Sequence, residues 1–415
     1  MRNTCSRCES IKKKPHNHSP MLIGIVGKPS TGKSTFFEAL TAVPVERSPR
    51  PFTTIKPNHG VAYVEVECVD KEFHVQCNPR TGFCRDGRRF VPVELLDVAG
   101  LVPGAHEGKG LGNKFLDDLR QADLLIHIVD VSGSSNEVGE RVPMGSYDPA
   151  NDVRFLEDEL NYWIEGILKR NWDKLKREAK LNRKNEDMIA AQMAGLGFTK
   201  DVAIRVLNKL GLREKPLWEW SEQEIFSLAR TLRELGKPTI IAANKCDLSN
   251  GYDNCMRLKK EFPDYFIVPC SAEAEITLKN AAKAGFIDYV PGDAGFKVLR
   301  ELNPQQEKAM EIMKGLMDKF GGTGAQRCLN SAVFDFLKYI AVFPGGVAKL
   351  ADDQGRVLPD VFLMKPGSTA IDFAGTIHST FAENFIKAID VRTKRALGAD
   401  YVLKHRDVLE IAFKR

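Results

Sequence analysis

No apolar run in this chain approaches the ~20 residues needed to cross a bilayer, so it does not read as an integral membrane protein. Its nine cysteines lack a disulfide framework, and Cys246 sits inside a motif described below. That scatter favours a reducing, cytoplasmic setting. Excess charge is scarce too: 60 Lys and Arg against 55 Asp and Glu leave +5. This permits a nucleic-acid partner without arguing for one. Residues 1–20 are polar and basic, without the apolar segment of a secretory signal. They carry Cys5-x2-Cys8 and His16-x-His18, four competent zinc ligands. The simpler reading is a disordered arm, or sequence ahead of a start at Met21. What is present is ordinary: 415 residues, 43% hydrophobic and 28% charged, enough for about two to three domains with a sizeable core.

The organising stretch is Gly27, Lys28, Pro29, Ser30, Thr31, Gly32, Lys33, Ser34 and Thr35. It follows the apolar run of residues 22–26, which reads as a buried strand, and precedes a helix beginning over residues 36–40. Strand, glycine-bracketed loop, Lys-Ser and helix are the parts of a phosphate-binding P-loop. Gly27 and Gly32 let backbone N–H groups turn toward phosphate, Lys33 reaches the β- and γ-phosphates, and Ser34 holds Mg²⁺. A nucleotide-binding protein is expected.

Downstream, residues 50–58 are bracketed by prolines and suit a mobile loop. In a GTPase such a loop supplies a Thr hydroxyl to Mg²⁺ while the γ-phosphate is present; Thr54 is the candidate, Thr53 the second. Residues 61–66 and 90–96 read as neighbouring strands, separated by a polar insertion with Cys68, Cys77 and Cys84. Spacings of nine and seven match no familiar metal pattern, so the insertion reads as a hairpin elaboration. The second strand runs into Asp97-Val98-Ala99-Gly100, where Asp97 would bind Mg²⁺ through water and Gly100 would admit the γ-phosphate. A Ras-like enzyme has a water-orienting Gln next, but here stands Leu101. His106, in the Gly-dense loop that follows, can orient or deprotonate water near neutral pH; packing against its neighbours is the plainer alternative.

Residues 124–130 form another buried strand, and residues 237–243 a further one that ends in Asn244-Lys245-Cys246-Asp247. N-K-x-D at a strand end reads guanine: Asp247 accepts from N1–H and the 2-amino group, which adenine cannot offer. Ser271 and Ala272, after a last strand, would back the base.

At this point the chain resembles the Obg-related GTPases, most closely the YchF branch, over residues 21–415. The resemblance rests on the P-loop, on Phe52-Thr53-Thr54-Ile55 and on the run from Asp97 through Gly108 to Asp118. It implies an α/β fold: a P-loop NTPase (Ras-like G domain), an inserted α-helical domain and a C-terminal β-grasp (TGS) domain. It also implies ribosome association and a hydrolytic role for a histidine matched by His106. Many YchF proteins carry a degenerate base-reading motif and prefer ATP; intact Asn244, Lys245 and Asp247 predict GTP. Ser30 stands where related proteins often have an Asn that helps bind potassium.

The expected domains are 1–20 (extension), 21–150 (first part of the G domain), 151–235 (helical insertion), 236–329 (second part with a helical linker) and 330–415 (TGS). Residues 169–184 read as a basic helix able to grip RNA phosphates, or simply as a solvated face. Helices are expected around 281–285 and 307–320. In the last module, apolar stretches at 334–342, 361–364 and 408–413 suggest strands or core, and residues 374–389 a helix. Nothing there pairs a nucleophile with a base, so recognition is expected, not catalysis. The expected ligands are GTP or GDP with Mg²⁺, and the chain is expected to be a monomer with a ribosomal or structured-RNA partner and no membrane association.

Overall fold

The computed structural model describes residues 21–41, 57–107 and 118–414. They divide into two compact units, Met21–Val64 with Pro92–Leu337, and Glu65–Val91 with Lys338–Arg415.

The first unit is built on a sheet in which β1 (Leu22–Val26) and β5 (Leu124–Asp130) are buried along their whole length. Such unbroken apolar runs belong at the centre of a parallel sheet covered on both faces. A helix, α1 (Lys33–Thr41), follows β1; β2 (Asn58–Glu67), β3 (Phe83–Arg85) and β4 (Arg88–Asp97) precede β5. The remaining strands are β6 (Thr239–Asn244) and β7 (Ile267–Pro269). Strand order is β2-β4-β1-β5-β6-β7, with β3 beside β4. From β4 to β7 the pairs are parallel, so Val26, Asp97, Asp130 and Asn244 all end strands at the same edge, where open α/β sheets bind ligands.

Between β5 and β6 the described residues form five helices and no strand: α2 (Ala150–Arg170), α3 (Trp172–Ala179), α4 (Asn185–Met193), α5 (Lys200–Leu210) and α6 (Glu222–Gly236). Local signals set their ends. Ser221 and Glu224 cap α6 reciprocally, and Gly211 ends α5 in a left-handed turn. This insertion has no separate core. Leu22, Val26, Leu96 and Leu101 share one apolar cluster with Leu160, Trp163, Ile164 and Trp172. The single basic helix expected over 169–184 is corrected: Asn171 leaves helical geometry (φ −118°, ψ 18°) and α3 ends at Ala179. Its charges are partly paired, Lys169 with Glu165 and Glu222, Arg183 with Glu178. The unit is completed by α7 (Gly251–Glu261), α8 (Ala272–Lys283), β8 (Ile287–Asp288), β9 (Lys297–Val298), α9 (Pro304–Phe320) and α10 (Ala325–Asn330).

The second unit holds β10 (Ile340–Pro344), β11 (Phe362–Met364), α11 (Ala370–Ile377), α12 (Ser379–Glu383), β12 (Phe385–Asp390), β13 (Ala396–Leu397) and β14 (Val408–Phe413). Its sheet, ordered β11-β10-β14-β12-β13, grasps α11 through Phe373, packed with Val342, Met364 and Leu409. The helix expected over 374–389 is corrected. His378 is extended (φ −163°) and ends α11, and residues from Phe385 pair antiparallel with β14. Ladder pairing and burial of Ala388 override helix propensity there. No helix among the described residues is long and apolar enough to cross a membrane.

Candidate nucleotide-binding site

The loop after β1 is shaped by close approach. Gly27 (φ 147°) and Gly32 (φ 95°) occupy backbone conformations that side chains resist. A Cβ on Gly27 would lie 2.6 Å from the Ile128 carbonyl oxygen, and one on Gly32 would strike the Asn244 amide. Lys33 opens α1 and is 7% exposed, its Nζ donating to the Lys28 carbonyl at 2.8 Å. Burial lowers its pKa to about 8, against the opposing pull of Asp97 and Asp152.

Ser34 Oγ donates to Asp97 Oδ2 at 3.0 Å, and Asn58 Nδ2 lies 3.5 Å from the same oxygen. The other oxygen, Oδ1, is buried without a hydrogen-bond partner among the described residues. Burial raises the pKa of Asp97, while Lys33, Ser34 and Asn58 hold it down. An orphaned carboxylate oxygen beside a serine hydroxyl is a hard-oxygen set that suits Mg²⁺. Thr53 and Thr54 lie outside the described residues.

Other P-loop side chains turn inward. Lys28 is buried, pairing with Asp152 at 2.9 Å, donating to Ser135 O at 2.7 Å and lying over the Tyr147 ring. Only its backbone is left for phosphate. Ser30 Oγ donates to Gly139 O, and Thr31 Oγ1 to Lys28 O. Pro29 is buried and Thr35 half-buried. Gly100 packs on Pro29, where a Cβ would come within 2.8 Å, and the Leu101 N–H donates to Gly27 O at 3.1 Å. The Leu101 side chain, 1% exposed, enters the core shared with the insertion.

His106 lies on a short turn, Ala105–Glu107, and its contacts lead to α2. Glu159 accepts from the Gly104 N–H (2.6 Å) and His106 N–H (2.9 Å), and meets His106 Nδ1 at 2.7 Å. Tyr162 stacks on the imidazole at 4.9 Å. The carboxylate partner makes Nδ1 the donor and leaves Nε2 the basic nitrogen.

At the base end, Asn244 bridges the Thr31 carbonyl (2.9 Å) and the Ala272 N–H (3.1 Å). Lys245 reaches Asp130 at 2.7 Å and Ser30 O at 3.0 Å. Burial works against the Asp130 charge, but Lys245 and neighbouring serines hold its pKa low. Ser271 is buried and caps α8 by accepting from Ala274 N–H. Asp247 is exposed, and its carboxylate has no side-chain partner among the described residues. The structure thus joins P-loop, Asp97, Gly100, Asn244, Lys245 and Ala272 in one network, while His106 is held from α2 by Glu159 and Tyr162. Sequence reasoning missed Asn58, Asp130, Asp152 and Glu159. Asp130 ends a strand as Asp97 does, and Asp152 and Glu159, seven apart, share a helix face.

Three family models match. One, a 50S ribosome-binding GTPase, covers residues 22–155. Another, the G4 motif-containing domain of Obg-like, YGR210-like GTPases, covers 242–346, and a TGS domain covers 354–412. A GTP-binding protein of Methanocaldococcus jannaschii is 49% identical over 94% of this chain and 98% of its own. The ribosome-binding ATPase YchF of Mycoplasma genitalium is 28% identical over 94% and 98%. A crystal structure of a GTP-binding protein from Pyrococcus horikoshii superposes with a TM-score of 0.75 at 38% identity, over 95% of this chain and all of that one. The chain therefore belongs to the Obg-related, YchF-like P-loop GTP-binding proteins that end in a TGS domain.

Proposed function

We propose that this protein is a Mg²⁺-dependent GTPase, selective for GTP over ATP, whose nucleotide state governs its association with the ribosome or structured RNA. The observation that carries the reading is Asp247, an exposed carboxylate without a side-chain partner among the described residues, one turn of chain beyond an Asn244 that ties phosphate loop to base loop. A carboxylate so placed accepts two guanine N–H groups and meets no such pair on adenine.

Lys33 exchanges the Lys28 carbonyl for phosphate oxygens. Ser34, Thr54 and Asp97 are the residues to hold Mg²⁺, which when bound offsets charge on the β- and γ-phosphates. His106, with Nδ1 fixed on Glu159, presents Nε2 to the attacking water, the task for which Leu101 has no polar atom. Ribosome association is supported by relatives named as ribosome-binding and by the 50S ribosome-binding GTPase model. It is also favoured by Lys176 and Lys180, which have no acidic partner among the described residues.

Competition binding of GTP and ATP, followed by turnover with and without ribosomes, tests this. GTP preferred over ATP by tenfold or more, with turnover raised by ribosomes, is the expected result. Equal affinities would point to the ATP-preferring habit of the YchF relatives. Tight GTP binding with no hydrolysis in either condition would make the protein a nucleotide-dependent adaptor.

A further inference from the structure

The hairpin insertion brings together the three cysteines whose spacing matched no metal pattern. Cys68 ends β2's extension, Cys77 lies in the irregular stretch that follows, and Cys84 sits in β3. With Asp70, they place four ligand atoms within 4.8 Å of one another. Cys68, Asp70 and Cys77 are buried and Cys84 half-buried. We propose that Cys68, Asp70, Cys77 and Cys84 form a closed, structural zinc site.

The distances suit a tetrahedron. Two thiolates at the usual Zn–S length of about 2.3 Å lie roughly 3.8 Å apart, and Cys68 Sγ and Cys77 Sγ are 3.7 Å apart. Cys84 Sγ and Asp70 Oδ2 are 3.8 Å apart. A disulfide would need a separation of about 2.05 Å. Three sulfurs and one carboxylate form a borderline-soft set that favours zinc over Mg²⁺ or Ca²⁺.

Two buried charges point the same way. Asp70 is fully buried, and its Oδ1 has no hydrogen-bond partner among the described residues, a costly state for a carboxylate that a cation removes. Arg89, paired across the ladder with Cys84, is 1% exposed. Its guanidinium donates to the Leu358 and Pro359 carbonyls, which cancel no charge. A zinc with three thiolates and a carboxylate carries net negative charge, the counterpart Arg89 needs.

The site also explains how this segment keeps its shape. Between β2 and β3 it has one 3₁₀ turn, Val69–Lys71, and little other regular structure. Yet it presents Asn78 and Arg80 backbone N–H groups to the carbonyls of Val357 and Pro359. A metal clip substitutes for the core such a segment lacks.

The test uses the full chain with Cys5→Ser and Cys8→Ser, which removes the Cys5-x2-Cys8 pair as an alternative zinc site. Elemental analysis should find one zinc per chain, and cobalt reconstitution should give the visible absorption of a tetrahedral thiolate site. Asp70→Asn should shift that cobalt spectrum, and Cys77→Ser with Cys84→Ser should abolish both zinc retention and the spectrum. GTP binding, carried by the other unit, reports that each variant is folded. Zinc-free protein with no cobalt spectrum, a Cys68–Cys77 disulfide, or zinc retained by the double variant would each overturn the assignment.

Discussion

The phosphate cradle and the histidine loop lie on one continuous stretch of fold but are held in different ways. In the cradle, reactive groups rest on main chain or on each other: Lys33 on the Lys28 carbonyl, Ser34 on Asp97, Asn244 on the Thr31 carbonyl. The histidine loop is held instead by side chains of a distant helix, with Glu159 gripping Gly104 and His106 while Tyr162 stacks on the ring. The cradle is therefore specified by contiguous motif residues, and the loop by the insertion. Binding and hydrolysis should separate by mutation along that line.

The sharpest cut falls at the base. Asp247→Ala should weaken GTP by about 2–5 kcal/mol, roughly 30- to 5,000-fold, and leave ATP binding nearly unchanged. Isothermal titration with both nucleotides measures it, and a parallel loss for ATP would show that Asp247 acts on the loop's structure. On the histidine side, Glu159→Gln should lower kcat by about 10- to 100-fold, the scale of a lost orienting partner, with the GTP Kd within about twofold. A His106→Ala enzyme with undiminished turnover would remove the histidine from the mechanism. If Glu159→Gln instead abolished binding, the division between cradle and loop would fail.

The same contrast explains what could be read in advance. Lys33, Ser34, Asp97, Gly100 and Asn244 fall in short motifs whose flanking strands announce their position, and the structure links them directly. Leu101 was legible as a missing catalytic glutamine, but not as a core residue, because its packing partners Leu160 and Trp163 come some sixty residues later. Glu159 and Asp152 looked like ordinary helix carboxylates; only tertiary packing gives them His106 and Lys28. The strand at Phe385–Asp390 was hidden for the same reason, since its pairing with Val408–Phe413 is non-local.

A smaller effect probes the cradle alone. Lys33, lowered to about 8 by burial, must be charged to meet the phosphates. Below pH 8 it already is; above, binding requires proton uptake. GTP affinity should therefore fall about tenfold between pH 7 and pH 9. Calorimetry in buffers of different ionisation enthalpy would detect the proton, and a flat profile would show that the lysine is charged throughout.

The smallest effect tests the floor beneath the cradle. His127 on β5 pairs in register with Val26, the last residue before the P-loop. Burial, followed by the charges of Lys33 and Lys28, lowers its pKa to about 3. Above its unfolded pKa of about 6.5 the ring is neutral in both states and contributes nothing to pH dependence. As pH falls below that value the unfolded chain takes up a proton that the folded state refuses, so stability drops, by about 2 kcal/mol at pH 5. Asp152, pushed up to about 6 by burial, acts in the opposite direction over the same range. It is common to wild type and His127→Gln, and so cancels in their difference. Urea unfolding of both proteins without nucleotide at pH 7 and pH 5 isolates the histidine. The wild type should lose about 2 kcal/mol more than the variant, and equal losses would mean that water or a rearranged loop lets His127 protonate in the fold.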